Sequence, residues 1–208
     1  MLLYYITDRS QFAGDEDQRR NCLLQKIAEA ARAGVDYIQL REKDLSGHKL
    51  ESLARKAVRL LESSGSKTRL LINSRTDVAL AVGAAGVHLR SNDISPDEVS
   101  KIWRRAGRSD RPVIAVSCHN EVDAIRAKEA AADFLVFGPV FQKQGSKAAG
   151  VGELQRICKH SVPVLALGGV TFENTALCIE AGASGIAGIR LFQENDVSEV
   201  VTRLSKTN

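Results

Sequence analysis

The chain reads as an α/β protein, a single (β/α)8 barrel, and three observations lead there. Short apolar stretches recur eight times with a helix-like stretch after each, the pattern of parallel strands buried on both faces. A local motif returns at roughly fifty-residue intervals: AGVDYI at 33–38, AGVHL at 85–89, AADFLV at 131–136 and AGASGI at 181–186. No linker, low-complexity tract or Pro/Ser-rich break interrupts the 208 residues, so one domain is expected over 1–208. The competing architecture is a doubly wound open sheet. It usually carries fewer strands and gives no reason for a regular two-unit repeat. Eight units in 208 residues is compact, against about 250 for a typical barrel.

The stretch LLYYIT at 2–7 contains the first strand, 2–6, with a helix near 18–33. The second strand covers 35–40, and its helix near 46–64 opens on Ser46, a side chain suited to an N-cap. RLLIN supplies the third strand, 69–72, followed by a helix near 75–83. The fourth, 85–89, precedes a helix near 95–107, where Ser95 caps and Pro96 suits the first turn. PVIAVS places the fifth at 112–116, with a helix near 120–131. The sixth runs over 133–138 and its helix near 150–160. VPVLALGG contains the seventh, 162–167, and Thr171 is placed to cap a helix near 171–181. The eighth is 184–189, with a last helix near 196–205. Each motif copy ends an Ala-rich helix and turns on Gly or Ala; glycine there accepts a positive φ without steric cost.

Composition narrows the function. Hydrophobic residues make up 44% and charged residues 26%, which excludes a disordered chain, a collagen and a coiled coil. No apolar run reaches the roughly 18 residues of a membrane span. MLLYYITDRS lacks a basic leader and meets Asp8 early, so it does not read as a signal peptide. Lys and Arg exceed Asp and Glu by a formal +4 but are scattered, which suits small anionic ligands better than nucleic acid. Cys22, Cys118, Cys158 and Cys178 form no CxxC pair, so neither a zinc site nor a disulfide framework is indicated. A cytoplasmic protein is expected.

In such a barrel the functional residues follow the strands. Thr7-Asp8-Arg9 follow the first, and Gln39-Leu40-Arg41-Glu42-Lys43-Asp44 the second. Asn73-Ser74-Arg75 follow the third; His88 through Asp93 follow the fourth. Ser117-Cys118-His119-Asn120 end the fifth, and Gly138-Pro139-Val140-Phe141 with the loop to Lys147 the sixth. Gly168-Gly169 close the seventh and Gly188-Ile189-Arg190 the eighth. Arg41, Lys43, Lys147 and Arg190 make this mouth cationic. Gly168-Gly169 lies where barrels commonly bind phosphate. Arg41, Lys43 and Lys147 together exceed the need of a monophosphate, so a diphosphate is expected, with a divalent metal on Asp93. His88 reads as a packing histidine, Cys118 as an inert buried thiol, His48 and His160 as surface residues. His119 is open between functional and bland. Glu42 and Asp44 are open between partners of the basic pair and plain loop charges.

The strand-end set YITDR, QLREKD, LLIN, GVHL…ND, VSCH, DFLVFGPVF…K, VPVLALGG and AGASGIAGI resembles thiamine phosphate synthase and its relatives, the thiazole tautomerases, from residue 4 to about 192. Any one motif is weak; eight in order are specific. The resemblance implies a barrel that joins hydroxymethylpyrimidine diphosphate to a thiazole phosphate and releases diphosphate with Mg2+. It places the diphosphate on Gln39, Arg41 and Lys43, the pyrimidine near Asn73, the metal on Asp93, and further roles on Ser117 and Lys147. Gly168 and Gly169 fall at the thiazole-phosphate positions, beside Ile189 and Arg190. Phosphorylated small molecules are the implied partners, with a homodimer as the possible assembly; neither nucleic acid nor membrane is implied.

The departures from the pattern are specific. Ser74 stands where synthases have a second metal-binding Asp, and Arg190 where they have a phosphate-binding Ser. The loop Gln142-Lys143-Gln144-Gly145-Ser146-Lys147 has lost the usual threonines. Asn73-x-Arg75 is closer to the tautomerases, yet Pro139 stands at their histidine position and Lys43 is kept. A tautomerase-type isomerase and a non-catalytic ligand-binding barrel are the alternatives.

Overall fold

The structure, a computed structural model, describes residues 1–142 and 147–206. Eight strands follow one another: β1 (Leu2–Ile6), β2 (Tyr37–Leu40), β3 (Arg69–Asn73), β4 (Gly86–Leu89), β5 (Val113–Cys118), β6 (Phe134–Phe137), β7 (Val164–Ala166) and β8 (Gly185–Gly188). All pair in parallel in chain order, and β8 returns to β1 with Leu3 opposite Ile186. The sheet therefore closes, which rules out the open doubly wound alternative.

Between the strands run α1 (Glu16–Ala33), α2 (Gly47–Ser64), α3 (Thr76–Val82), α4 (Pro96–Arg105), α5 (Glu121–Glu129), α6 (Val151–Cys158) and α7 (Thr175–Glu180). A four-residue α8 (Arg190–Gln193) follows β8 directly, and α9 (Val197–Ser205) comes last. Ser46 caps α2 as expected, accepting from the Lys49 amide, and Pro96 opens α4; Ser95 stands at the N-cap position of α4, but its side chain turns to Asp97 and makes no capping bond. Helix α1 begins ahead of its expected start because Asp15 and Gln18 form a reciprocal capping box. Helix α7 begins later than expected. Thr171 does not cap it; residues 171–174 turn first, the Thr171 amide donating to Asn174 Oδ1 at 2.8 Å.

The repeat is real but its second copy is shifted. Gly34, Gly83, Ala131 and Gly182 all take positive φ just past a helix. After each, the next amide reaches back to close the helix: Val35 to Ala30, Ala84 to Ala79, Ala132 to Ala127 and Ala183 to Cys178. The turning residue of the second copy is thus Gly83. Gly86 lies inside β4, where a Cβ would stand 1.8 Å from the Val113 carbonyl oxygen; it is a glycine of close strand packing.

Two apolar layers result. Leu3, Tyr5, Ile38, Leu40 and Ile72 face the helices, while Tyr4, Ile6, Leu71, Ala115, Phe134, Val136, Leu165 and Ala187 fill the barrel. Tyr4 anchors the interior, edge-on to Phe134 at 5.5 Å and to Tyr37 at 6.1 Å between ring centres.

Candidate active site at the carboxyl end of the barrel

Strand alternation builds the floor of the site. Tyr37, Leu71, Ala115 and Ala187 belong to the barrel interior, so residues two further on point the same way. These are Gln39, Asn73, Ser117 and Ile189. Three of the four are polar, so the carboxyl-end layer carries hydrogen-bonding groups that Leu71, Ala115 and Ala187 do not bring to the same faces. Gln39 is buried, and its Nε2 donates to Asn73 Oδ1 at 2.8 Å.

His88 lies beneath Ser117. Its Nε2 pairs with Ser117 Oγ at 2.7 Å and its Nδ1 with the Tyr4 hydroxyl at 2.9 Å. The ring stacks on Tyr4 with centres 5.7 Å apart. Burial, with the Arg41 charge adding to it, pushes the imidazole down to about 3. At neutral pH the ring is uncharged, so one nitrogen donates and the other accepts. The expected packing role of His88 is thus accompanied by a direct bond to a site residue.

The cationic rim is built by an arginine that does not line it. Arg41 and Lys43 flank Glu42, which turns inward and is buried. Glu42 Oε1 accepts from Thr7 Oγ1 at 2.5 Å, and its Oε2 accepts from the Arg9 amide at 3.1 Å and Arg9 Nη1 at 3.0 Å. Thr7 Oγ1 in turn accepts from the Arg41 amide at 3.0 Å. Arg9 also holds Asp44 through both terminal nitrogens and Glu16 through Nε. These bonds settle the open reading of the two acids: both are partners of Arg9, not of Arg41 or Lys43. Arg41 and Lys43 are left as net charge. The Arg41 guanidinium first, then burial, then Arg90 hold the Lys43 ammonium below its usual value. Asp8 offsets part of this, but among the described residues neither Arg41 nor Lys43 has a carboxylate paired with it as Arg9 and Arg90 do.

Across the mouth, Gly168 and Gly169 take φ of 92° and 68°, conformations glycine adopts freely. A Cβ would stand 2.6 Å from Pro139 on Gly168 and 2.8 Å from Phe141 on Gly169. The pair is therefore required for packing on the β6 loop as well as for its position at the mouth. Arg190 is exposed at the first turn of α8. Lys147 is exposed too, two residues before Ala149, whose amide returns to the Pro139 carbonyl at 2.9 Å. Lys143–Ser146 of the altered loop lie outside the described residues. His119 ties β5 to β6 through Nδ1 and the Gly138 carbonyl at 2.7 Å. Burial raises the Cys118 thiol to about 12, as an inert buried cysteine requires.

Asp93 was the expected metal ligand. Its carboxylate already accepts four donors: Arg90 Nε at 3.1 Å and Nη2 at 2.8 Å on Oδ1, Ser74 Oγ at 2.6 Å and the Arg90 amide at 2.9 Å on Oδ2. Burial alone would raise this carboxyl, but the bonds from Arg90 and Ser74 bring it below its usual value. Among the described residues no three His, Cys, Asp or Glu side chains gather where one ion could touch them. One carboxylate with a guanidinium on it does not fit a divalent cation held by the protein.

Four contributors were not singled out as site residues from the sequence: Tyr4, Thr7, Arg9 and Arg90. Thr7 and Arg90 do follow β1 and β4 directly, with Arg9 two residues beyond Thr7, and position at a strand end was the available signal.

A family profile described as thiamine monophosphate synthase matches residues 3–192. Relatives include a Geobacter sulfurreducens protein, 43% identical over 191 residues that cover 89% of this chain and 83% of its own. The thiamine-phosphate synthase of Clostridium novyi is 33% identical over 199 residues, covering 93% of this chain and 91% of its own. Among solved structures, the thiamine phosphate pyrophosphorylase of Pyrococcus furiosus superposes with a TM-score of 0.80 at 26% identity, over 99% of this chain and 94% of that one.

Proposed function

Since the chain belongs to the thiamine monophosphate synthase family, we propose that this mouth couples hydroxymethylpyrimidine diphosphate to a thiazole phosphate, in the cytoplasm. The observation that carries the reading is the unbalanced pair Arg41 and Lys43, set on the β2 loop directly beyond the Gln39–Asn73 carboxamide pair. A diphosphate group and a flat polar heterocycle are the two halves of one substrate that such a juxtaposition suits.

The reaction is a substitution at carbon. The bond from the pyrimidine methylene to the diphosphate oxygen breaks, and its electron pair leaves with the diphosphate. The positive charge left on the methylene is delocalised into the pyrimidine ring. The lone pair of the thiazole nitrogen then forms the carbon–nitrogen bond, the nitrogen takes the positive charge, and no proton moves. Such chemistry needs charge on the leaving group and correct placement of the two rings. Arg41 and Lys43 supply the first; Gln39, Asn73 and Ser117 supply the second. His88, neutral and buried, orients the Ser117 hydroxyl and is not needed as a base. Lys147 adds charge from the β6 side, and Gly168, Gly169, Ile189 and Arg190 border the end left for the thiazole phosphate. A homodimer is the assembly in this reading.

Arg75, on which the tautomerase alternative rests, pairs with Asp77 through Nε at 2.8 Å and Nη2 at 2.6 Å. Incubation with both precursors, and with the thiazole phosphate alone, tests the reading. Coupling predicts thiamine phosphate and diphosphate in equal amounts and no change in the thiazole alone. Isomerisation of the thiazole without coupling would overturn it.

A further inference from the structure

We propose that the Arg90 guanidinium, seated on Asp93, occupies the place of a divalent cation at this mouth, so that the site binds diphosphate without metal. The inference rests on the synthase reading for its ligand but not for its geometry.

An ionised carboxylate has about four lone-pair positions, and Asp93 accepts four donors, three of them from Arg90. A metal ion approaching Asp93 would have to displace a bidentate guanidinium and the Ser74 hydroxyl together. Ser74 is fixed for this contact. It sits in the left-handed region at φ 56°, its amide donates to the His88 carbonyl at 2.8 Å, and its hydroxyl is aimed at Asp93. A serine here adds a donor to the carboxylate, where an aspartate would have added a second anion to attract a cation.

Arg90 is equipped for the substituted task. Asp93 takes Nε–H and one Nη2–H. A guanidinium carries five N–H groups in a planar fork, so three remain for phosphate oxygens, and the side chain is 62% exposed. The charge also reaches the right neighbourhood: Arg90 is among the groups that hold Lys43 below its usual value, together with Arg41. Arg41 and Arg90, from the loops after β2 and β4, are thus both near enough for their charges to act on Lys43. Fork-shaped donors suit a diphosphate better than a point charge does.

Titration of the protein with inorganic diphosphate in EDTA and in excess Mg2+, followed by calorimetry, tests this. Wild type should bind in EDTA within about threefold of its affinity in Mg2+. Arg90→Met keeps the apolar stem and should weaken binding in EDTA about 10- to 100-fold, as expected for a lost charge-assisted contact. Arg90→Lys should recover part of it, and Asp93→Asn should retain binding in EDTA. Thermal melts of each variant separate misfolding from lost binding. Binding that requires Mg2+, disappears in Asp93→Asn and persists in Arg90→Met would overturn the proposal. Metal-free binding indifferent to Arg90 would overturn it as well. Failure of the synthase reading is a separate result: no thiamine phosphate would form from the two precursors, while diphosphate binding still reports on Arg90.

Discussion

Glu42→Ala offers the sharpest perturbation, because the same guanidinium holds a buried acid and an exposed one two residues apart. The Glu42 side chain is 1% exposed and the Asp44 side chain 71%, and both lie on Arg9. Removing the Glu42 carboxylate deletes its bonds to Arg9 Nη1, the Arg9 amide and the Thr7 hydroxyl. Breaking a buried pair costs about 3–5 kcal/mol. Arg9 keeps Asp44 and Glu16, so the lower end applies, about 3 kcal/mol. Glu42→Gln keeps the volume and an acceptor oxygen but loses the charge, and should cost about half of that, 1.5 kcal/mol. Asp44→Ala removes an exposed pair, held at ordinary pH by a carboxyl lowered to about 2 by Arg9, and should cost no more than about 1 kcal/mol. Equilibrium urea unfolding at pH 7 measures all three. Because Thr7 and Arg9 place the loop that carries Arg41 and Lys43, coupling should fall further in Glu42→Ala than in Asp44→Ala. Equal destabilisation by the two alanine variants would refute the assignment of Glu42 as the inner anchor of the rim.

Other expectations follow from the same geometry. His88 is neutral in the fold, its folded value lying near 3. Unfolding frees it to take a proton below about pH 6.5, so its contribution to stability is complete above that pH. It is lost as pH falls, by about 1.4 kcal/mol per unit. Urea unfolding at pH 7, 6 and 5 should show this slope reduced in His88→Gln; unchanged slopes would contradict it. Gly169→Ala forces a left-handed alanine against Phe141 and should cost about 2 kcal/mol or more, whereas Gly34→Ala, with nothing within 4 Å, should cost about 1 kcal/mol; the gap in thermal midpoint reads this.

The barrel was legible because eight apolar runs and their helix caps are local signals. The second repeat copy was misaligned because two glycines stand three apart. Which one turns the chain and which packs inside β4 depends on the Val113 carbonyl, a contact with another strand. Thr171 misled similarly, since Asn174 closes a turn on its amide before α7 can begin. At the site, reading the strand ends was enough to name Arg41 and Lys43, the family resemblance added Gln39, Asn73 and Ser117, and alternation and loop position bring all five to one mouth. The Arg9–Glu42 anchor was not legible, because it joins the loops after two strands whose residues are far apart in the chain. Arg90 was hidden for a different reason: a cation near a carboxylate in a loop looks like solvated charge until its geometry is seen.

The most direct measurement is a single-turnover reaction with labelled hydroxymethylpyrimidine diphosphate and thiazole phosphate, following both products in wild type, Arg41→Ala and Lys43→Ala. Thiamine phosphate and diphosphate should appear together in wild type. In each variant both should slow about 10- to 100-fold, for one lost charge-assisted contact, with thermal midpoints unchanged because these side chains lie at the mouth and not in the core. Wild-type rates in both variants would contradict the claim that this pair drives departure of the diphosphate.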